Sequence, residues 1–219
     1  MEREMSKWQR EKWAEQAIKS LRKNYFAASY VESTQEALAL IMTMLPTEAE
    51  IGLGDSLTLK EIGVLRALDE RGANYLNPWR PGISREESMA LRRQAFTTDV
   101  FLTGTNALTL DGKLVNIDGL GNRVAAMIFG PKKVVVVAGI NKLVPDLEAA
   151  LWRIKNVAAP VNARKHDYPP ELRPPCSEGG FCRDCAPPRR ICCNTVIIEN
   201  CGRDKERITV LIVGEELGY

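Results

Sequence analysis

The chain opens on a helical pattern. Met5, Trp8, Ala14, Ile18, Leu21 and Tyr25 recur at helical spacing, with Lys, Arg and Glu between them. Ser33-Thr-Gln-Glu36 has the form of a capping box opening a second helix, which Pro46 closes. Residues 1–46 are therefore expected to be N-terminal helices packed on the remainder of the chain. From about residue 50 short apolar runs alternate with helical faces. Residues 51–54 read as a strand ending in a glycine turn. Thr58-Leu-Lys-Glu61 reads as another capping box, and Leu59, Ile62, Leu65 and Leu68 mark one helical face ending near Gly72. A strand is expected over 73–76, a helix capped by Ser84-Arg-Glu-Glu87 runs to about Ala95, and another strand covers 100–103. Residues 108–117 have the look of a hairpin around Asp111-Gly112. Residues 134–138 are β-branched and almost wholly apolar, as a central strand covered on both faces should be. Pro145 and Asp146 suit the first turn of a helix running to about Val157.

This alternation predicts an α/β fold with a mainly parallel sheet flanked by helices, over a core of residues 50–158. Residues 160–193 form a proline-rich cysteine loop, and seven of the twelve prolines fall within 160–188. A loop of that length usually has a function or an ordering ligand. C-terminal strands within 194–219 come next, at 195–199 and 207–213, so the loop is an insertion between pieces of one domain spanning 1–219.

Composition narrows the classes. Thirty Lys and Arg face 28 Asp and Glu, a net charge of +2, which speaks against a nucleic-acid binder needing a basic face. Apolar runs such as 134–138 are far too short to insert into a membrane. Residues 1–8 have mixed charge and no apolar stretch, so no signal peptide is read and a cytoplasmic location is expected. The single histidine, His166, excludes an intrachain three-histidine metal site; in its proline-rich loop it is expected to be structural or solvent-facing.

All six cysteines lie between residues 176 and 201, which points to one site rather than a disulfide framework. Cys176, Cys182, Cys185 and Cys192 place four thiolates within seventeen residues, and Gly179 and Gly180 let backbone approach them. A 4Fe–4S cluster suits one C-x2-C with longer arms on either side. Structural zinc typically uses two such knuckles; metal-free thiols or a disulfide are the third reading. Arg183, Arg189 and Arg190 would offset the charge of a thiolate-bound cluster. Cys193 and Cys201 exceed four ligands and read either as small buried side chains or as an alternative ligand or redox partner.

Beside the glycine turn at 52–56, three polar turns leave three strands, at the sheet edge where ligands usually bind. Gly52-Leu-Gly54-Asp55-Ser56 is either an anion-binding turn or a tight strand-to-helix turn with Asp55 or Ser56 as cap. Thr103-Gly-Thr105-Asn106 and Asp118-Gly-Leu-Gly-Asn122-Arg123 bring small and polar residues to the same edge. Lys142 leaves the central strand and either pairs with a carboxylate or phosphate or is a solvated lysine. Arg123 is the expected carboxylate clamp, because guanidinium pairs with carboxylate bidentately.

The block from Thr103 to Asn106 through Asp118-Gly-Leu-Gly-Asn-Arg123 to Ala126 resembles the lactate-utilization (LUD) domain family in its single-domain branch. So do Phe129-Gly-Pro-Lys-Lys-Val-Val-Val-Val-Ala-Gly-Ile-Asn-Lys-Leu-Val144, the turn Gly54-Asp-Ser56, the cysteine pattern and the ending Val213-Gly-Glu-Glu-Leu-Gly218. The resemblance spans about residues 1–219. It implies a fold similar to the ribose-phosphate isomerase, glucosamine-phosphate deaminase and CoA-transferase group, with ligand at the loops after the parallel strands. Neither the isomerases' acidic loop nor a counterpart of the CoA-transferase glutamate is recognisable. It also implies an iron–sulfur protein in oxidation of lactate or a similar hydroxy acid, with a small anionic metabolite as ligand and iron–sulfur or flavin redox proteins as partners. On that reading Gly52, Gly54, Asp55, Ser56, Thr105, Asn106, Asn122, Arg123 and Lys142 edge the pocket. Two other classes stand beside it: a binding or assembly subunit with structural zinc, and an isomerase or transferase on a phosphorylated or CoA-linked substrate.

Overall fold

Alternation along the central strands sets the architecture. In the computed structural model, which describes the backbone of residues 2–219 and the side chains of residues 6–219, residues 133–139 form a strand whose two neighbours are both parallel. Val134 and Val136 face one apolar cluster and Val135 and Val137 the other, all four fully buried. Burial of each stabilises the fold by roughly 1.5–3 kcal/mol relative to exposure. Two buried faces require helices on both sides, and the chain supplies them.

In chain order the elements are α1 (Glu2–Lys23), β1 (Ala27–Val31), α2 (Thr34–Met44), β2 (Ile51–Leu53), α3 (Leu57–Ile62), α4 (Val64–Glu70), β3 (Tyr75–Leu76) and α5 (Arg85–Gln94). Then come β4 (Val100–Gly104), β5 (Ala107–Thr109), β6 (Leu114–Asp118), α6 (Asn122–Ile128), β7 (Lys133–Gly139) and β8 (Leu143–Val144). The chain ends with α7 (Leu147–Arg153), α8 (Ala159–Lys165), α9 (Cys176–Gly179), β9 (Asn194–Ile198) and β10 (Ile208–Val213). Six strands form a wholly parallel sheet in the order β1-β10-β7-β4-β2-β3. A second sheet runs β8-β5-β6-β9, with the expected hairpin β5–β6 antiparallel at its centre. Helix α1 buries Ala14, Ala17 and Leu21 on one face of the large sheet, while α2 and α3 bury Ala37, Ile41, Leu59 and Ile62 on the other.

Several local signals mark element boundaries as expected. Ser84 and Glu87 form the complete reciprocal capping box of α5. Ser33 caps α2 by accepting from the Glu36 amide, although the Glu36 carboxylate takes the Glu32 amide rather than closing the box. Asp146 caps α7 through the Ala149 amide at 2.8 Å.

Four expectations are corrected. The N-terminal region is not all helix: α1 stops at Lys23, Tyr25 turns the chain with φ 65, and β1 pairs with β10 as an edge strand. Tyr25 therefore lies outside the helical face, and Trp8, though in α1, is 56% exposed; the Met5 side chain is outside the described residues. Second, the cap at the glycine turn is Ser56, whose Oγ accepts from the Leu59 amide, and not Thr58, which is fully buried. Third, the helix expected up to Gly72 is broken at Gly63, in the left-handed region at φ 85, into α3 and α4. Fourth, the helix begun at Asp146 passes through Pro160. A π-helical turn over Ile154–Ala158 widens the helix just before it, and Pro160 falls in the first turn of α8, where its missing N–H matters least. The irregular loop thus begins after Lys165 rather than at residue 160.

Gly54 shows how tightly the next layer is built. A Cβ there would lie 2.5 Å from Thr103 Oγ1 and 3.3 Å from Arg123 Cδ. Gly54→Ala is expected to cost about 1–3 kcal/mol through overpacking. Pairing it with Thr103→Ala should recover part of that loss in urea unfolding, because Oγ1 is removed while the Thr103 Cβ, 3.0 Å from the added methyl, stays.

Candidate functional site

Parallel pairing places the carboxyl ends of β2, β4 and β7 on one edge of the sheet. The turns that leave them, 54–56, 104–106 and 140–142, line a common cavity of about 240 Å³. Asp118 from the end of β6, with Asn122 and Arg123 from α6, closes one side. Trp79 and Arg92 of α5 form another wall, and His166, Tyr168, Cys192 and Tyr219 complete the rim. Of the sequence-chosen pocket residues, Asp55, Ser56, Thr105, Asn106, Asn122, Arg123 and Lys142 meet here. Gly52 and Gly54 do not. Gly52 lies inside β2 against Thr98 and Phe101, and Gly54 makes room for Thr103, so neither presents its amide to the cavity.

Lys142 is neither solvated nor ion-paired among the described residues. It ends a 3-10 turn after β7, is 5% exposed, and its Nζ donates to Thr58 Oγ1 at 2.8 Å. Burial, with the nearby Arg153 and Arg123 charges, pushes its amine down to about 7, against a weaker opposing pull from Glu61. Arg153 is fixed there by Asn106 O at 2.8 Å and Asn141 O at 3.0 Å.

Arg123 is not a free clamp. Its Nε donates to Asp118 at 2.9 Å and Nη2 pairs with the same carboxylate at 2.8 Å. Nη1 donates to Asn116 Oδ1 at 2.6 Å and Gly104 O at 3.2 Å, and Nη2 also donates to Asn106 Oδ1 at 3.2 Å. All five guanidinium N–H groups are thus committed inside the protein. Arg123 shapes the pocket and cannot also fork a ligand carboxylate without releasing Asp118.

The cation left for a ligand is Arg92, which sequence reasoning missed. Its guanidinium lies over the Trp79 ring at 5.0 Å from the centroid, and its Nε donates to Ser88 Oγ at 3.4 Å. Among the described residues its two terminal nitrogens make no hydrogen bond. Arg92 occupies an otherwise charged helix, where the sequence gives no sign that one arginine turns inward. The Asp55 charge acts on it but is shared with Lys60 at 2.9 Å and Lys165 at 3.8 Å; burial works against the charged carboxyl, and the hydrogen bond and charge of Lys60, with Lys165 and His166, outweigh this and hold it below its usual range.

The cysteine loop packs on the same cavity. Cys176 is buried at the start of α9, and the Cys182 amide donates to Asn156 Oδ1 at 3.4 Å. Arg190 ties the arms together by donating to Cys185 O at 2.9 Å, Cys192 O at 3.0 Å and Asp184 Oδ1 at 3.1 Å. Burial, then the sulfurs of Cys176, Cys182 and Cys185, push the Cys192 thiol up to about 11. The four thiols therefore lie in one another's field, and Cys192 also lines the cavity. They do not stand at ligand distances: among the described residues no three His, Cys, Asp or Glu side chains are placed to hold a metal ion. Cys193 is exposed, and Cys201 packs against the core beside α1.

The LUD domain family model matches residues 14–213. The chain belongs to the LUD domain family. Membership of the LUD family implies a function related to lactate utilization. Among solved structures, a DUF162 family protein from Deinococcus radiodurans shares the fold, with a TM-score of 0.55 at 14% identity over 94% of this chain and 98% of that one. Ribose 5-phosphate isomerase A from Neisseria gonorrhoeae gives a TM-score of 0.33 at 17% identity, over 52% of this LUD chain and 54% of the isomerase. No curated protein sequence matches the chain. Among the described residues no helix is long and apolar enough to cross a membrane.

Proposed function

We propose that this LUD-domain protein takes part in oxidising lactate or a similar small 2-hydroxy acid, with a 4Fe–4S cluster held by Cys176, Cys182, Cys185 and Cys192 beside the substrate pocket. The observation that carries the reading is that Cys192 and Lys142 line the same cavity. The donor set fits such a group. Four soft thiol ligands suit iron–sulfur or zinc, and the Cys176 and Cys192 thiols, pushed up by burial and then by neighbouring sulfurs, need a bound cation to hold them as thiolates. When bound, the cluster supplies a one-electron carrier.

The chain's own residues do the rest. Arg92 holds the carboxylate against the Trp79 wall, where half-burial strengthens the ion pair. Lys142, poised near neutrality, accepts the hydroxyl proton as the carbonyl forms. The Asn106 and Thr105 turn, pinned by Arg123, keeps that wall rigid. Conversion to the 2-oxo acid also breaks the C2–H bond: its hydrogen leaves to solvent as a second proton, and the two electrons of that bond pass to an iron–sulfur or flavin redox protein. A cavity of about 240 Å³ suits a metabolite of a few carbons, while pockets for larger ligands begin near roughly 300 Å³.

Protein purified without oxygen is expected to contain about four irons and four sulfides per chain and to show a broad visible band near roughly 400 nm that bleaches on reduction. Lactate should bleach it in wild type, and more than about tenfold more slowly after Arg92→Met, which removes a charge-assisted pair worth roughly 1.5–3 kcal/mol. A colourless protein with one zinc per chain would overturn the reading in favour of a zinc-pinned loop.

A further inference from the structure

A lysine amine buried at the end of a central strand normally faces a carboxylate. Lys142 faces the Thr58 hydroxyl instead, and among the described residues Nζ has no ion-pair partner. Two fixed guanidiniums, Arg153 and Arg123, stand where they oppose a charge on it. The amine borders a cavity of about 240 Å³ whose other uncommitted cation is Arg92. A neutral amine at one point and a guanidinium at another match a molecule with an electrophilic carbon and a carboxylate.

We propose that Lys142 adds through Nζ to the carbonyl carbon of a small 2-oxo acid in this cavity, forming a Schiff base between protein and ligand. The N–C bond forms as the C=O π bond opens. Both amine hydrogens then leave with the carbonyl oxygen as water, and C=N replaces C=O. Nothing is oxidised or reduced, so the step needs neither a cluster nor an electron acceptor and stands apart from the oxidation proposed above. Arg92 takes the acid group, which selects oxo acids over neutral ketones. Protonated on nitrogen, the bound imine is an electron sink that activates the carbon next to it.

The test is trapping on the full-length protein with pyruvate and sodium cyanoborohydride at pH 7, then digestion and mass mapping. Lys142 is expected to carry one reduced adduct per chain, formed at least about tenfold faster than on any other lysine, because an ordinary exposed lysine is neutral only to the order of one part in a thousand at this pH. The rate should climb about tenfold per pH unit and level off above about 7. Acetone, which lacks the carboxylate, should label it at least about tenfold more slowly, and Lys142→Arg should remove the adduct. Label spread over surface lysines, none on Lys142, or equal labelling by acetone would overturn the proposal. Mapping on wild type decides the matter even if the variant misfolds. Bleaching by lactate is a separate readout, so either proposal can fail alone.

Discussion

Arg123→Met is expected to destabilise the protein by about 3–5 kcal/mol, as breaking a buried pair by removing one partner does. The Asp118 side chain is only 11% exposed, so it would be left as a nearly buried carboxylate with no cation, holding only the Val124 amide at 3.2 Å. The loss spreads further, because Asn116 Oδ1, Gly104 O and Asn106 Oδ1 all lose a donor. Asn116 is fully buried and its amide nitrogen already has no acceptor among the described residues, so the network has little slack. Arg123→Lys should recover little, since an ammonium cannot reproduce five donors in a fixed fork. The double variant Arg123→Met with Asp118→Leu should recover a good part, because no charge is then left unpaired. Urea unfolding at pH 7 reads these differences. A protein that kept its stability within about 1 kcal/mol after Arg123→Met, and lost only ligand affinity, would show the guanidinium to be a ligand clamp after all.

That contrast also shows what the sequence makes legible. The polar turns after β2, β4 and β7 gather at one sheet edge because parallel strands put all their carboxyl ends together. The unbroken β-branched run of β7, and the caps at Ser84 and Asp146, are local signals, and local physics decides them. What a side chain faces is not local. Arg123 and Arg92 look alike in sequence, yet one meets Asp118 from β6 and the other meets Trp79 and open cavity. Nor could β1 be read: its pattern is weak, and it exists because β10, far away in the chain, offers it a parallel edge. The cysteines fall between these cases. Their spacing gathers them in one loop, while the cavity that Cys192 shares with Lys142 emerges only from the packed loop.

Lys142→Met is expected to have opposite effects on stability and on activity. The folded protein holds this amine at about 7, below its ordinary 10.5. Between those values the unfolded chain binds a proton that the folded chain does not, so wild-type stability rises with pH across the window. Below about 7 both states are charged and the burial cost is present in full. Methionine in place of the amine removes that cost and gives up one hydrogen bond to Thr58. The net gain should be about 2–4 kcal/mol at pH 7, with Tm rising by roughly 5–15 °C. It should shrink steadily toward pH 10.5 and be lost above it, where the wild-type amine is neutral in both states. Turnover of a 2-hydroxy acid should meanwhile fall by about 10²–10⁴-fold, the usual loss for a positioned general base. Thermal melts of both proteins from pH 6 to pH 10, beside activity at pH 7.5, check both halves. A variant less stable than wild type at neutral pH would mean that Lys142 is charged and satisfied in the fold, and its role as a base would fall with that result. A more stable, inactive variant would show that the fold keeps a destabilising amine in place because the chemistry at the sheet edge requires it.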